Sequence, residues 1–600
     1  MSAPPVIIVL GPSGVETAKR IKAALGAAEI HGQSKRVPDA VFCFAKTTAH
    51  LTSLFREGRP IIGICASGIL IRALGPLLND KHNEPPVIAV AEDGSAVVPL
   101  LGGHHGANAL ARKIAAGLGC TPAITTAGDI RFGVALDAPP EGWTLANPEH
   151  AKDAMAALLS GARARITGEA TWLERSKLPL AGNAEIELVA TVHTQQGSPD
   201  KLIYHPKSLI LGVGCERGCA AGELIELVEN TLSAHKLAPA AIALVASLDL
   251  KADERSVHAL AEHLGVAARF FTAEQLNAES LSLKNPSDVV LREVGCPGVA
   301  EGAALACAGP NGELIVEKTK STRATCAICL APRPIDFSAI GRPRGRLSVI
   351  GIGPGDAMWR SAEAVSLLRS ANDWVGYGLY LDLVSDLAGH AREHRFELGE
   401  EQTRARHALE LAAEGRHVAL VCSGDAGIYA MASLVFELLD KDGTISDAAR
   451  RVEVTIAPGI SALQAAAARA GAPLGHDFCA ISLSDLLTPW EVIEKRLRAA
   501  AHGDFVVALY NPKSKRRQKQ LAKAIAILRE HRGNATPVIV ATSLGRSEER
   551  TTTTTLAAFD GNIVDMLSIV IIGSSATRRD AVSQRVYTLA HGVQIGRAHV

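Results

Sequence analysis

Residues 347–356 read LSVIGIGPGD: a β-branched apolar run that breaks into two glycines, a proline, a third glycine and an aspartate. A run of this kind ending abruptly in glycines is how a buried parallel strand delivers main chain to a ligand crevice at its carboxyl end. Gly351 and Gly353 have no Cβ, so the chain can turn sharply there and lie close to another molecule. Pro354 stiffens the turn, and Asp356 places one charge at its exit. Asp356 also stands where the last glycine of a dinucleotide fingerprint would be, which excludes that reading. The loop lies past the middle of the chain, so a whole second protein precedes it.

The strand–helix alternation continues after the loop. Strands are predicted at 417–422, 452–457, 504–510, 537–541 and 568–573, with long helices between them. Before it, residues 331–345 fall in APRPIDFSAIGRPRGR, the best linker in the chain by composition. Further upstream, 1–135 alternate strand and helix, 136–207 read as a variable middle subdomain, and 208–330 form another α/β unit. The whole is a multidomain α/β protein. The threonine run 551–555 reads as an exposed strand or loop edge.

Composition limits the partners. The 600 residues are 47% hydrophobic and only 4% aromatic, which suits α/β layers with ample core. Sixty-two basic residues balance sixty-two acidic ones, so no global field points to nucleic acid or an anionic membrane. MSAPPVIIVLGPSG lacks a basic n-region and reads as a buried strand, and no segment has the length of a membrane span. Eleven scattered cysteines fit reduced thiols, so a cytoplasmic location is expected.

The later half also carries SGDAGIYAM (423–431), APGISALQAAAARAGAPLGHDF (457–478), LSDLLTPW (483–490) and LYNPKSKRR (509–517). With the opening loop, these resemble the precorrin-3B C(17)-methyltransferases of the tetrapyrrole methylase family, over 346–594. The resemblance implies a two-lobed class III fold, with lobes of about 346–458 and 459–594, that dimerises and binds S-adenosyl-L-methionine. It places Gly424, Asp425, Ala426, Gly427, Tyr429, Pro458, Gly459, Ser461, Ala462 and Asn511 against that cofactor. It turns Gly351, Gly353, Pro354, Gly355 and Asp356 toward the tetrapyrrole. Methyl transfer needs in-line positioning and exclusion of water more than a nucleophile of the protein, and glycine-lined loops meet that need. A corrinoid precursor carries many carboxylate arms, for which Arg516 and its basic neighbours 513–517 are candidates. Asp425 suits a helix cap as well as a cofactor contact. His476 and Asp477 read either as an acid/base pair for the ring contraction or as a structural pair.

The first half carries ASGILIRALGPLLNDKHNEPPVIAVAEDG (66–94), GGHHGAN (102–108), GVGCERG (212–218), SLDLKADE (247–254) and VAEGAALA (299–306). These resemble cobalt-precorrin-5A hydrolase, an enzyme that opens a corrinoid lactone and releases acetaldehyde. Ala91 departs from the pattern where an acidic residue is expected. Lactone opening needs a base or bound water and donors for an oxyanion. His104, His105, Lys81, Lys251 and Glu254 are the catalytic candidates, and Asn108 a substrate contact. A corrinoid-binding carrier module, and a cobalt-containing intermediate as methyl acceptor, stand as alternatives.

Cys326 and Cys329 form a C-x-x-C, but TCAIC reads as a strand, where positions three apart face opposite sides. No metal site is expected. The closing YTLAHGVQIGRAHV has Leu589 and Ala590 where the methyltransferases have Pro and Arg, and IGRAHV reads as translated adapter rather than native tail.

Overall fold

The computed structural model describes the chain apart from residues 1–3, 27, 39–41, 80–83, 336–339, 388, 390, 515–516 and 591–600, and apart from the side chain of His104. It divides into two compact units, Met1–Arg344 and Gly345–Val600.

Three sheets form unit 1 among the described residues. The first has six strands in the order Phe42–Phe44, Glu29–Gln33, Val6–Val9, Ile61–Ile64, Val87–Val90 and Val97–Leu101, all parallel except the last. Its central strands are fully buried because helices cover both faces, which explains their unbroken Val/Ile composition. A four-stranded sheet spans 143–206. The third sheet runs Ala267–Phe271, Ile242–Leu248, Leu209–Cys215, Ala324–Leu330, Glu313–Lys320. Cys326 lies in the core on one of its faces and Cys329 in the core on the other, as strand alternation requires. The stretch expected as a free linker is not one throughout. Arg342 exchanges two main-chain hydrogen bonds with Phe270, and Ile335 and Ile340 pack on the core beneath.

Unit 2 opens with a five-stranded, wholly parallel sheet in the order Arg392–Phe396, Asp373–Tyr377, His417–Cys422, Arg346–Gly351, Glu453–Ala457. Alternation divides Arg346–Gly351 between two cores. Leu347 and Val349 meet the helices Glu401–Ala413 and Met431–Lys441, and Ile350 meets Ala362–Ser370. Ser348 is buried too, and its hydroxyl is satisfied by Thr455 Oγ1 and His417 Nε2, each at 3.0 Å. The chain leaves Arg346–Gly351 toward one side and leaves His417–Cys422 toward the other. The carboxyl ends of these neighbouring strands thus form a switch point, the usual place for a ligand crevice in an open α/β sheet.

The second lobe is a mixed sheet, Phe478–Ser482, Val506–Tyr510, Ser568–Ile572, Pro537–Thr542, Arg550–Thr555, with a small three-stranded sheet beside it. The threonine run supplies its edge strand, exposed or half-buried along its length.

Candidate active site

Three loops meet at the switch point: 351–356, 423–430 and 458–461. Gly353 and Gly424 both have left-handed backbone, φ 76° and 70°, and exchange main-chain hydrogen bonds of 3.1 and 2.7 Å. A Cβ on Gly351 would stand 2.7 Å from the Gly424 carbonyl oxygen, and one on Gly459 only 2.1 Å from the same atom. Main chain therefore packs on main chain, which no residue with a side chain would allow. Asp425 locks the junction, its carboxylate accepting the N–H of Gly427 at 2.8 Å and of Gly459 at 3.1 Å.

This packing corrects one expectation. Gly351, Gly353, Pro354 and Gly355 are buried, so they close loop upon loop instead of presenting a face to a macrocycle. Gly355 lies against the Gly545 carbonyl and Arg546 of the second lobe. Asp356 alone of the five is exposed, and it caps the turn Ala357–Trp359 by accepting the Met358 N–H at 2.8 Å.

The expected cofactor residues are brought together around this junction. Tyr429 has φ 51°, a conformation costly for a side-chain-bearing residue and one that clusters at functional sites. Its hydroxyl donates to the Ala480 carbonyl at 2.8 Å, across to the second lobe, and its ring centroid lies 5.1 Å from that of Tyr510. The Tyr510 hydroxyl accepts the N–H of Leu463 at 3.1 Å. Ser461 heads that same helix, Ala462–Ala470, in a capping box with Gln464. Burial raises the pKa of both tyrosines, so each remains a neutral donor at pH 7. Asn511, also left-handed at φ 49°, donates to Ser482 Oγ at 3.1 Å.

Of the basic stretch after Asn511, the two described cations are both engaged with main chain. Arg517 is buried and donates to the Asn511 carbonyl at 3.0 Å, and Lys513 donates to the Gly561 carbonyl at 3.3 Å. Arg516 lies outside the described residues. His476 and Asp477 form an exposed pair 3.3 Å apart. They precede Phe478–Ser482 and so stand at its amino end, while Ser482 and Asn511 mark the carboxyl ends. The structure does not gather this pair with the glycine loops, because a whole strand of about 3.3 Å per residue intervenes.

Sequence reasoning missed Tyr510, which packs on Tyr429, and the burial of Arg404. Arg404 sits in the first turn of Glu401–Ala413 on the same stripe as Ala405, Ala408 and Leu409, and it is buried with them. A charge on an apolar stripe was the available signal.

In unit 1 the candidates fall on two sheets. Residues 216–220 and 249–254 follow adjacent parallel strands, Leu209–Cys215 and Ile242–Leu248. The buried Glu254 carboxylate accepts the Gly218 N–H at 3.1 Å and lies 3.7 Å from Arg217. Arg217 pairs with Asp253 at 2.6 Å and donates to the Leu250 carbonyl at 2.8 Å. Lys251 ends the turn Asp249–Lys251 in the same loop. Burial raises the Cys215 thiol, outweighing Ser256 and the Lys251 charge, so it is not a ready thiolate. The other group, 102–108, follows Val97–Leu101 of the first sheet. His105 lies in the turn Gly103–His105. The side chain of His104 and all of Lys81 lie outside the described residues. The Asn108 amide is committed, donating to Thr126 Oγ1 at 2.8 Å and to Asp129 at 2.9 Å, which leaves it no free N–H for substrate.

Comparison with known proteins agrees with both resemblances. Tetrapyrrole (corrin/porphyrin) methylases match residues 346–560, the cobalamin synthesis G N-terminal region matches 49–129, and the cobalamin synthesis G C-terminus matches 209–329. A probable cobalt-factor III C(17)-methyltransferase of Salmonella typhimurium is 47% identical over 246 residues, 40% of this chain and 100% of that protein. A precorrin-3B C(17)-methyltransferase of Sinorhizobium sp is 46% identical over 250 residues, 41% of this chain and 96% of that protein. A crystal structure of the methyltransferase CobJ is 43% identical, covering 41% of this chain and 100% of that one, with a TM-score of 0.38. With the parallel sheet, its loop junction and a relative matched over its full length, the chain belongs to the tetrapyrrole methylase family, in its C(17)-methyltransferase branch, with cobalamin synthesis G regions fused ahead of it.

Proposed function

We propose that unit 2 methylates carbon 17 of precorrin-3B or its cobalt counterpart with ring contraction, and that unit 1 opens the lactone of a precorrin-5A-type intermediate with release of acetaldehyde. The reading makes the chain a bifunctional enzyme of cobalamin biosynthesis. The observation that carries it is the junction at which Asp425 ties two glycine loops together while Tyr429 reaches across to Ala480 and Tyr510.

The residues gathered there fit S-adenosylmethionine. They offer a left-handed Gly424, an aromatic pair and the Asn511 amide, and the expected cofactor residues include no lysine or arginine to repel a sulfonium. When bound, that cofactor supplies an electrophilic methyl group. The chain's own part is positional: Asp425 holds two loops in register, the Tyr429 and Tyr510 rings pack together beside them, and Arg517 fixes Asn511 through its carbonyl. In unit 1, the Arg217–Asp253–Glu254 group ties the loops after two adjacent strands together, with Arg217 as the cation for an acidic arm and the carboxylates as candidate bases.

Among the described residues no helix is long and apolar enough to cross a membrane, and all eleven cysteines are free, which supports a cytoplasmic enzyme. A homodimer through unit 2 follows from the family pattern, with no nucleic acid or membrane partner. The test is an assay offering metal-free precorrin-3B and cobalt-factor III separately, with products identified by mass. One added methyl with ring contraction on either supports the reading, and unchanged substrate in both overturns it.

A further inference from the structure

Arg404 is buried inside unit 2 with almost nothing to bind. Its side chain is 4% exposed, and its Nε and Nη1 have no hydrogen-bond partner among the described residues. Nη2 meets only the Met431 thioether at 3.2 Å, a weak acceptor, and Glu401 lies 4.0 Å off in a half-exposed i,i+3 pair. A buried guanidinium is costly unless acceptors saturate it. The buried Arg532 shows what saturation looks like: it reaches four main-chain carbonyls and Asp504.

The position matters as much as the vacancy in its bonding. Arg404 opens the helix that follows Arg392–Phe396, Tyr380 lies on the helix that follows Asp373–Tyr377, and Met431 opens the helix after the 423–430 loop. All three stand at the carboxyl edge of the parallel sheet, the edge that carries the loop junction. Arg546 comes to the same place from the second lobe, against Gly355, and its Nε is likewise buried without a partner. Burial raises the Tyr380 phenol pKa, and the charges of Arg546 and Arg404 both oppose that rise, as expected of cations on the same edge of the sheet. Tyr380 stays protonated and can donate.

We propose that Arg404, flanked by Tyr380 and Arg546, forms a carboxylate-binding subsite of the methyltransferase cleft. A planar guanidinium forks onto the two oxygens of a carboxylate through Nη2, by the hydrogen not directed at Met431, together with one of the unpaired Nε and Nη1, and the carboxylate brings the missing negative charge as well as the acceptors. The inference rests on the methyltransferase reading, under which two ligands bring that chemistry: the amino-acid carboxylate of the cofactor and an acidic arm of the macrocycle.

The test uses the full chain as wild type, Arg404→Gln, Arg404→Lys and Tyr380→Phe, each checked for folding by thermal melting. Calorimetry measures S-adenosylhomocysteine and 5′-methylthioadenosine, which lacks the amino-acid carboxylate, and absorbance titration measures uroporphyrin III, an octacarboxylate. Arg404→Gln is expected to weaken one carboxylate ligand by about tenfold or more, with Arg404→Lys and Tyr380→Phe losing less. Loss of S-adenosylhomocysteine with 5′-methylthioadenosine unchanged assigns the subsite to the cofactor. Loss of uroporphyrin III alone assigns it to a macrocycle arm. Should Arg404→Gln fail to fold, the other two variants decide. Folded variants that bind both carboxylate ligands within about twofold of wild type overturn the subsite. Wild type that binds neither overturns the methyltransferase reading and the subsite with it.

Discussion

Asp425 Oδ2 accepts the N–H of Gly459 at 3.1 Å, so a carboxylate after one strand fixes the loop after another. The bond gives the aspartate a structural role that requires no contact with a ligand. Replacing Asp425 by Ala frees two main-chain N–H groups and is expected to cost about 1–3 kcal/mol. Gly459→Ala is expected to cost more, because its Cβ would lie 2.1 Å from the Gly424 oxygen and only backbone could yield. Urea unfolding followed by circular dichroism ranks the two, and the reverse order would contradict the packing account.

Tyr510→Phe removes the acceptor of the Leu463 N–H. The expected loss is about 1 kcal/mol of stability, with weaker binding of S-adenosylhomocysteine by calorimetry.

Tyr429→Gly separates strain from binding. Glycine tolerates the left-handed backbone, relieving about 1 kcal/mol, yet the variant loses the bond to Ala480 and the contact with Tyr510. Ligand affinity is expected to fall while the melting temperature drops little. A large fall in melting temperature with intact affinity would contradict this.

Acid stability of unit 1 should carry a signature of Glu29. Burial alone would raise its pKa, but the bond from His31 and the Arg59 charge prevail and lower it from 4.5 to about 2. A carboxylate lowered in the folded state stabilises fully above its unfolded value, and that stability is lost as pH falls through the folded one. Between pH 4.5 and about 2, wild type should therefore lose stability more steeply than Glu29→Gln, as pH-dependent urea midpoints will read.

Acetaldehyde release discriminates among the unit 1 residues. Arg217→Met is expected to lower it by about tenfold or more, since Arg217 ties together Asp253, Glu254 and the Leu250 carbonyl. Cys215→Ser should leave it nearly unchanged, because burial keeps that thiol protonated.

Much of this architecture is legible in the chain. The buried strands announce themselves as short β-branched runs, and Val6–Val9, His417–Cys422 and Ser568–Ile572 lie where such runs predict. The loops that meet at Gly351, Gly424 and Gly459 are legible as loops. Strand order is not, because nothing local tells a strand which neighbour it will have. For that reason the opening loop reads as an open wall when it is in fact buried under two others. His476 and Asp477 mislead for a related reason, since sequence proximity to a strand does not say which end of the sheet faces the cleft. Arg404 escapes because one of two arginines in the first half of a helix, Arg404 and Arg406, carries no motif that tells the buried one from its neighbour.

The edge strand Arg550–Thr555 pairs on one side only, with Pro537–Thr542. An open row of main-chain donors and acceptors invites other chains to zip onto it. Five consecutive threonines keep the β-branched shape that a strand favours while offering hydroxyls instead of grease on both faces. A second chain docking there would form main-chain hydrogen bonds but expel little water from apolar surface, so the least protected border of this lobe is also a poor seed for fibrils.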